Sequence, residues 1–222
     1  MAEQKQGFIR IGDMAPDFEA DTQLGKMSWH KYIEGKWAIL CSHPKDFTPV
    51  CTTEIGTMAK LSAEWAKRDT KVAVVSVDTA EEHKAWIQEI NKSQGTDVQF
   101  PIFGDETKKI ALAYGMLNQT DLDKDGLPLT VRSVFIIGPD KLVKLIITYP
   151  AATGRNFDEV IRVLDSLQMT VSHKVATPAN WKQGEDCMLL PGVSDEDAAK
   201  FEGLKVISAS CKLRQVPCPK KF

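Results

Sequence analysis

Trp37-Ala38-Ile39-Leu40-Cys41-Ser42-His43-Pro44-Lys45-Asp46-Phe47-Thr48-Pro49-Val50-Cys51 is the stretch whose reading decides the fold. Its first five residues are continuously apolar, the pattern of a strand buried on both faces. From Pro49 to Asp69 the spacing turns helical, with Ile55, Met58, Leu61 and Trp65 on one side. Thr48 is a favoured N-cap residue, and Pro49 suits the first helical position because its missing N–H would have no helical partner there. A buried strand therefore passes through a short polar loop into a helix.

Working outward, the same alternation continues. Val72 to Val77 is a second apolar strand, and Thr79 with Glu82 forms a capping-box signature ahead of Trp86, Ile87 and Ile90. Phe100 to Phe103 is a short strand. Val134 to Ile137 and Leu142 to Ile147 read as a hairpin across Gly138-Pro139-Asp140-Lys141. Asn156 and Glu159 open a helix bearing Val160, Ile161, Val163, Leu164 and Leu167. The order predicts a three-layer α/β fold. Val175 to Pro191 is rich in turn formers, which places a boundary between a main domain, 8–172, and a smaller one, 173–222. The smaller part shows one short helix, Ser194 to Phe201, and too few apolar positions for a core of its own. Its Trp181, Met188, Leu189, Leu190, Phe201, Leu204 and Val206 are expected to be covered by the main domain or a second subunit.

A chain of 222 residues suits one large domain, or one domain with an appendage. Its 28 basic and 30 acidic residues leave a net charge of −2, so nucleic acid and anionic membrane surfaces have no electrostatic claim on it. Met1 to Gly12 is polar and lacks a secretory-type apolar core, and the apolar runs are far too short to cross a bilayer. The expectation is a cytoplasmic protein without integral membrane contact. Five cysteines, an odd number, with no Cys-x-x-Cys, argue against a secreted disulfide framework. The scattered histidines have no zinc-ligand spacing to any cysteine, so no metal is expected.

Cys51 falls third in the helix that Pro49 opens, close to unpaired amides and the positive end of the helix dipole. That setting favours thiolate, the nucleophilic form. A free thiol with a pKa of about 8.5 is only a few per cent ionised near neutrality, and roughly 2 units must be removed to make thiolate dominant. A helix terminus contributes about 0.3–1 kcal/mol, less than one unit, so a nearby cation is required as well.

Pro44-x-x-x-Thr48-x-x-Cys51, within the longer run from Ser42 to Glu54, resembles the active-site motif of the peroxiredoxins, specifically the one-cysteine type of the thiol-specific antioxidant family. Tyr149-Pro150-Ala151 with Thr153-Gly154-Arg155-Asn156, and Val175-Ala176-Thr177-Pro178-Ala179-Asn180-Trp181, match the same class, and the likeness covers residues 8 to 200. The resemblance implies a thioredoxin-like fold with a C-terminal appendage used in a homodimer. It implies a thiol peroxidase that reduces hydrogen peroxide and organic hydroperoxides through a cysteine sulfenic acid. No cofactor would be bound, and an external small thiol or thiol protein would serve as reductant. Cys51 would be the attacking thiol. Thr48 would hydrogen-bond the peroxide, Pro44 would shield the sulfur, and Arg132 would supply the missing cation. His43, Glu54 and Arg155 would support them.

Other motifs fail. Asp121-Leu122-Asp123-Lys124-Asp125-Gly126 begins like a calcium loop, but the twelfth position, where a bidentate Glu is needed, is Arg132. Asn91-Lys92-Ser93 and Asn118-Gln119-Thr120 fit a glycosylation pattern and are expected to be polar loops. Some members of the resembling class are also phospholipases; the serine position of that motif is Lys36 here, which leaves His30 and Asp140 without a nucleophile. Cys41, inside an apolar strand, reads as core, while Cys187, Cys211 and Cys218 stay open as resolving thiols. Two other readings of Cys51 stand beside peroxidase at this stage: an oxidation sensor or holdase, and a purely structural binding module.

Overall fold

In the computed structural model, which describes residues 9–122, 126 and 128–219, the chain forms two units, Met1–Arg155 and Asn156–Phe222. The first contains β1 (Glu19–Thr22), β2 (Gly25–Ser28), α1 (Trp29–Tyr32), β3 (Trp37–Ser42), α2 (Pro49–Lys60), α3 (Ser62–Lys67), β4 (Thr70–Ser76), α4 (Ala80–Gln94), β5 (Ile102–Gly104), α5 (Lys109–Ala113), β6 (Leu117–Leu122), β7 (Pro128–Thr130), β8 (Arg132–Ile137) and β9 (Val143–Tyr149). A seven-stranded mixed sheet runs β2-β1-β5-β4-β3-β8-β9, while β6 and β7 pair separately. The middle of the acidic turn, Asp123, Lys124 and Asp125, and the basic ending Lys220-Lys221 lie outside the described residues.

β3 is buried on both faces. Ala38 and Leu40 join a cluster with Trp29, Phe103, Tyr114, Phe135 and Val143, while Ile39 and Cys41, pointing to the opposite face, are equally enclosed. β3 runs parallel to β4, with Ile39 opposite Val72 and Cys41 opposite Val74, and antiparallel to β8, with Cys41 opposite Val134. That register has a functional consequence. One step beyond Ser42 and Ser133, the start of the catalytic-motif loop lies beside Arg132, at the carboxyl end of β3. Ligand sites of open α/β sheets form at the carboxyl ends of such strands.

The helix starts follow the sequence. The Thr79 amide donates to Glu82 Oε2 at 2.8 Å and the Glu82 amide to Thr79 Oγ1 at 3.0 Å, completing the capping box of α4. Gly95, at φ 59° and ψ 50°, closes that helix in the left-handed conformation glycine adopts cheaply. The hairpin of β8 and β9 turns at Gly138–Lys141, where the Lys141 amide donates to the Gly138 carbonyl at 2.8 Å. Other expectations need correction. The helix expected from Pro49 to Asp69 breaks at Leu61 (φ −86°, ψ 12°) into α2 and α3, and the Trp65 indole N–H caps the break by donating to the Met58 carbonyl at 2.9 Å. Asn91–Ser93 belong to α4, and Asn118–Thr120 to β6, so neither is a loop.

The second unit contains α6 (Phe157–Ser172), β10 (Val175–Ala176), β11 (Cys187–Leu189), α7 (Asp195–Ala198), β12 (Lys205–Ser208) and β13 (Leu213–Val216). Asn156 caps α6, its side-chain oxygen accepting from the Asp158 and Glu159 amides. A four-stranded sheet in the order β10-β11-β13-β12 follows. The sequence reading denied this region a core, and the structure overturns that. Met169, Val175, Trp181, Cys187, Leu189, Val193, Ala198 and Val216 form a buried cluster. Its residues come singly from two helices, from loops and from strands of two to four residues, too scattered for a periodic pattern to register. Of the side chains expected to need covering, Trp181 and Leu189 are buried here, while Leu190 and Val206 remain exposed. Trp181 is the keystone, and its indole N–H donates to the Glu185 carbonyl at 2.9 Å. Trp181→Ala should cost about 3–5 kcal/mol. Hydrogen exchange should show protection lost across β10, β11 and β13; unchanged protection there would mean the cluster is not a cohesive core.

Candidate active site

Cys51 is the third residue of α2, with Thr48 at the N-cap and Pro49 at the first position, as the motif requires. Its side chain has no exposed surface. Arg132 Nη1 lies 3.2 Å from Cys51 Sγ and donates to Glu54 Oε2 at 2.7 Å, and Arg132 Nε donates to the Ala151 carbonyl at 2.7 Å. Nη1 of the guanidinium is thus shared between sulfur and Glu54, while Nε is spent on the backbone.

Glu54 is the hub that aims it. One helical turn beyond Cys51, it accepts from the Arg155 amide at 2.7 Å, Arg155 Nε at 3.1 Å and Arg155 Nη2 at 2.7 Å, besides Arg132. Arg155 also donates through Nη1 to the carbonyls of Ser42 (2.8 Å) and Ser133 (3.1 Å), stitching the end of β3 and the start of β8 to α2. Burial pushes the Glu54 carboxyl up, but the charge and hydrogen bonds of Arg155, then the charge of Arg132, outweigh it and hold it below the ordinary glutamate value. Arg132 is only 3 % exposed.

The loop ahead of α2 is held by a second buried group that the sequence reading missed. His43 Nε2 and Asp46 Oδ1 are 2.7 Å apart, and His83 Nδ1, brought in by α4, is 2.6 Å from Asp46 Oδ2. The Asp46 amide donates to Asp78 Oδ2 at 2.8 Å. The Trp86 ring packs on His43 at 4.9 Å. Burial works against ionisation of Asp46, yet the hydrogen bonds and charge of the two histidines keep its carboxyl well below the usual range. Asp78 moves the other way, raised by burial and then by the charge of Asp46. Asp46 gave no periodic signal, being in a loop, and His83 reaches the loop from 37 residues away. Among the described residues, His43, Asp46 and Asp78 are the group whose ligand-type atoms come within 4.8 Å of one another, and the hydrogen bonds above already occupy Asp46.

Pro44 is buried in the same loop, and Phe47 lies at φ 58°, a left-handed conformation that few non-glycine residues adopt, with its ring exposed. Thr48 departs from expectation: its hydroxyl makes no cap bond and instead donates to the Lys45 carbonyl at 2.9 Å. Cys41 is enclosed without a hydrogen-bonding cation, and burial pushes its thiol up to about 11. The three positions of the failed lipase pattern are engaged separately. Lys36 pairs with Asp69 at 2.7 Å, His30 Nε2 is 2.8 Å from the Ala15 carbonyl, and Asp140 pairs with Lys144 at 2.6 Å. No helix among the described residues is long and apolar enough to cross a membrane.

Residues 11–146 match the AhpC/TSA family, and residues 166–202 match the C-terminal domain of 1-Cys peroxiredoxin. Peroxiredoxin-6 of Bos taurus is 46% identical over 220 residues, covering 97% of this chain and 96% of the relative. The crystal structure of a cysteine-to-serine mutant of the peroxiredoxin 6 of Arenicola marina superimposes with a TM-score of 0.92 at 45% identity, over 96% of this chain and all of that one. A structure of the yeast mitochondrial 1-Cys peroxiredoxin, solved for its thiol resolving mechanism via glutathione/thioredoxin systems, gives 0.87 at 42% identity, over 95% and 100% of the two chains.

The depressed carboxyls fix a pH dependence. A carboxyl whose folded pKa is lowered contributes stability that is complete above its unfolded value, about 4, and is lost as pH falls through that value toward the folded one. Asp46 and Glu54 are both of this kind, and Asp78 opposes them. The thermal midpoint should therefore be level between about pH 6 and 7 and drop below about pH 4. Asp46→Asn should flatten the drop. A midpoint that holds constant or rises on acidification would contradict the assignment.

Proposed function

We propose that Cys51 is the attacking thiol of this chain, which belongs to the AhpC/TSA family, carries the C-terminal domain of 1-Cys peroxiredoxin over residues 166–202, and is a thiol-dependent peroxidase of antioxidant defence. The observation that carries the assignment is the 3.2 Å approach of Arg132 Nη1 to a buried Cys51 Sγ. The charge count supports it. Arg132 and Arg155 bring two positive charges into the site and Glu54 one negative, so a thiolate at Cys51 completes the balance.

In the proposed reaction, Cys51 sulfur attacks one peroxide oxygen. The O–O bond breaks, the far oxygen leaves as water or alcohol after taking up a proton, and sulfur is left as sulfenic acid. Arg132 stabilises the negative charge that grows on the oxygens, from a position fixed beforehand by Glu54 and Ala151. The Thr48 hydroxyl, whose proton goes to the Lys45 carbonyl, offers its lone pairs to the peroxide O–H. Pro44 covers the sulfur against bulk water. His43, tied through Asp46 to His83, and Arg155, tied to both strands, keep the loop and helix in place.

The sulfenic acid is returned to thiol by an external reductant, a small thiol or a thiol protein, and no cofactor is bound; the resolving systems of the yeast relative support this reading. The protein works in the cytoplasm as a homodimer, with the exposed Leu190 and Val206 of the second unit as candidate partner-facing side chains. Cys51→Ser should abolish peroxide consumption in stopped flow. Arg132→Met should slow it by roughly 10²–10³, the scale set by losing one charge-assisted donor of about 2.7–4 kcal/mol. A fast reaction surviving in Cys51→Ser would sink the assignment. Light scattering should give twice the chain mass, and a monomer would refute the dimer.

A further inference from the structure

The second unit holds three thiols with no part in this chemistry, Cys187, Cys211 and Cys218, and two of them lie together. Cys187 opens β11 and has no exposed surface, whereas Cys218, two residues past the end of β13, is partly exposed. Cys187 is registered opposite Val216, which puts those two side chains on one face of the sheet. Cys218 packs on the cluster that contains Cys187, Trp181 and Leu189. Burial, then the charge of Cys218, pushes the Cys187 thiol up to about 12.

The chain around Cys218 can adjust. Pro217 and Pro219 flank it, and neither has an N–H to commit to the ladder. Small movements of Cys218 therefore break no strand pairing. Cys211, by contrast, is exposed and outside the cluster.

We propose that Cys187 and Cys218 form a redox-active pair, a modification site that hydroperoxide closes to an intramolecular disulfide. Cys218 reacts first, being the partly exposed member of the pair, whereas Cys187 is enclosed and has no guanidinium at its sulfur among the described residues. Its sulfur attacks one peroxide oxygen, the O–O bond breaks, and water or alcohol leaves with a proton. The sulfur of Cys187 then attacks the Cys218 sulfenic acid. The S–O bond breaks, and hydroxide leaves as water with the Cys187 proton. Two thiols lose two electrons and one peroxide gains them. A dithiol reductant reopens the bridge by thiol–disulfide exchange.

The experiment uses the full chain carrying Cys51→Ser, so that its outcome is independent of the peroxidase assignment. Four of the five cysteines then remain. The protein is treated with excess hydrogen peroxide, unfolded with an alkylating agent present, digested without reductant and mapped by mass spectrometry. The expected result is loss of two thiols and a linked Cys187–Cys218 peptide pair, both reversed by dithiothreitol. Adding Cys218→Ser, at a partly exposed position past the last strand, should abolish the link and leave Cys187 fully alkylated, with the circular dichroism spectrum unchanged. Two results would overturn the proposal. One is Cys187 still fully alkylated after peroxide while Cys218 carries sulfinic or sulfonic acid. The other is Cys218 joined to Cys211, or to a second chain, in place of Cys187.

Discussion

The site depends on one carboxylate shared between two buried arginines. Glu54 takes Arg132 on one oxygen and Arg155 on both, and each guanidinium also reaches backbone carbonyls: Ala151 for Arg132, Ser42 and Ser133 for Arg155. Helix α2, the end of β3 and the start of β8 are therefore held by the same charges that face the sulfur. Removing one member of such a buried set typically costs about 3–5 kcal/mol, because a charge is left unpaired, although apolar replacements of a whole set are often neutral. Stability alone would not require these residues. Their arrangement makes sense as the frame for a reaction in which negative charge appears at a fixed place.

Burial by itself makes a thiol inert. Cys41 and Cys187 are as enclosed as Cys51, and burial pushes them up to about 11 and about 12. What separates Cys51 is its place at a helix start and the guanidinium 3.2 Å from its sulfur. Exposure without a cation is the opposite case, represented by Cys211. Among the five cysteines, Cys51 is the one with a guanidinium nitrogen within hydrogen-bonding distance of its sulfur among the described residues.

The parts legible in the sequence were those with local cause. The buried run of β3, the Thr48-Pro49 start of α2, the Thr79–Glu82 box and the Gly138–Lys141 turn each carry their signal within a few residues, and each stands as read except that the Thr48 hydroxyl makes no cap bond. The mixed α/β fold of thioredoxin type followed from their order and from the family motif. What escaped is nonlocal or short. β1 and β2, four residues each, are partly exposed and patternless. The sheet of the second unit gathers its core from separated single positions. Asp46 could be suspected of nothing from its loop, since its partner His83 is supplied by a helix that packs beside it only in the folded state. The Leu61 break was hidden because Leu61 and Trp65 continue the helical spacing across it.

The central claim is that Arg132 and the helix start, rather than accessibility, select Cys51 for reaction with peroxide. It is tested most directly by giving the wild-type protein a single equivalent of hydrogen peroxide in the presence of dimedone and mapping the adduct by mass spectrometry. The account predicts that the label falls on Cys51, although that side chain is fully buried, and that exposed Cys211 stays unlabelled. A label on Cys211, or one spread among the cysteines in proportion to their exposure, would contradict it.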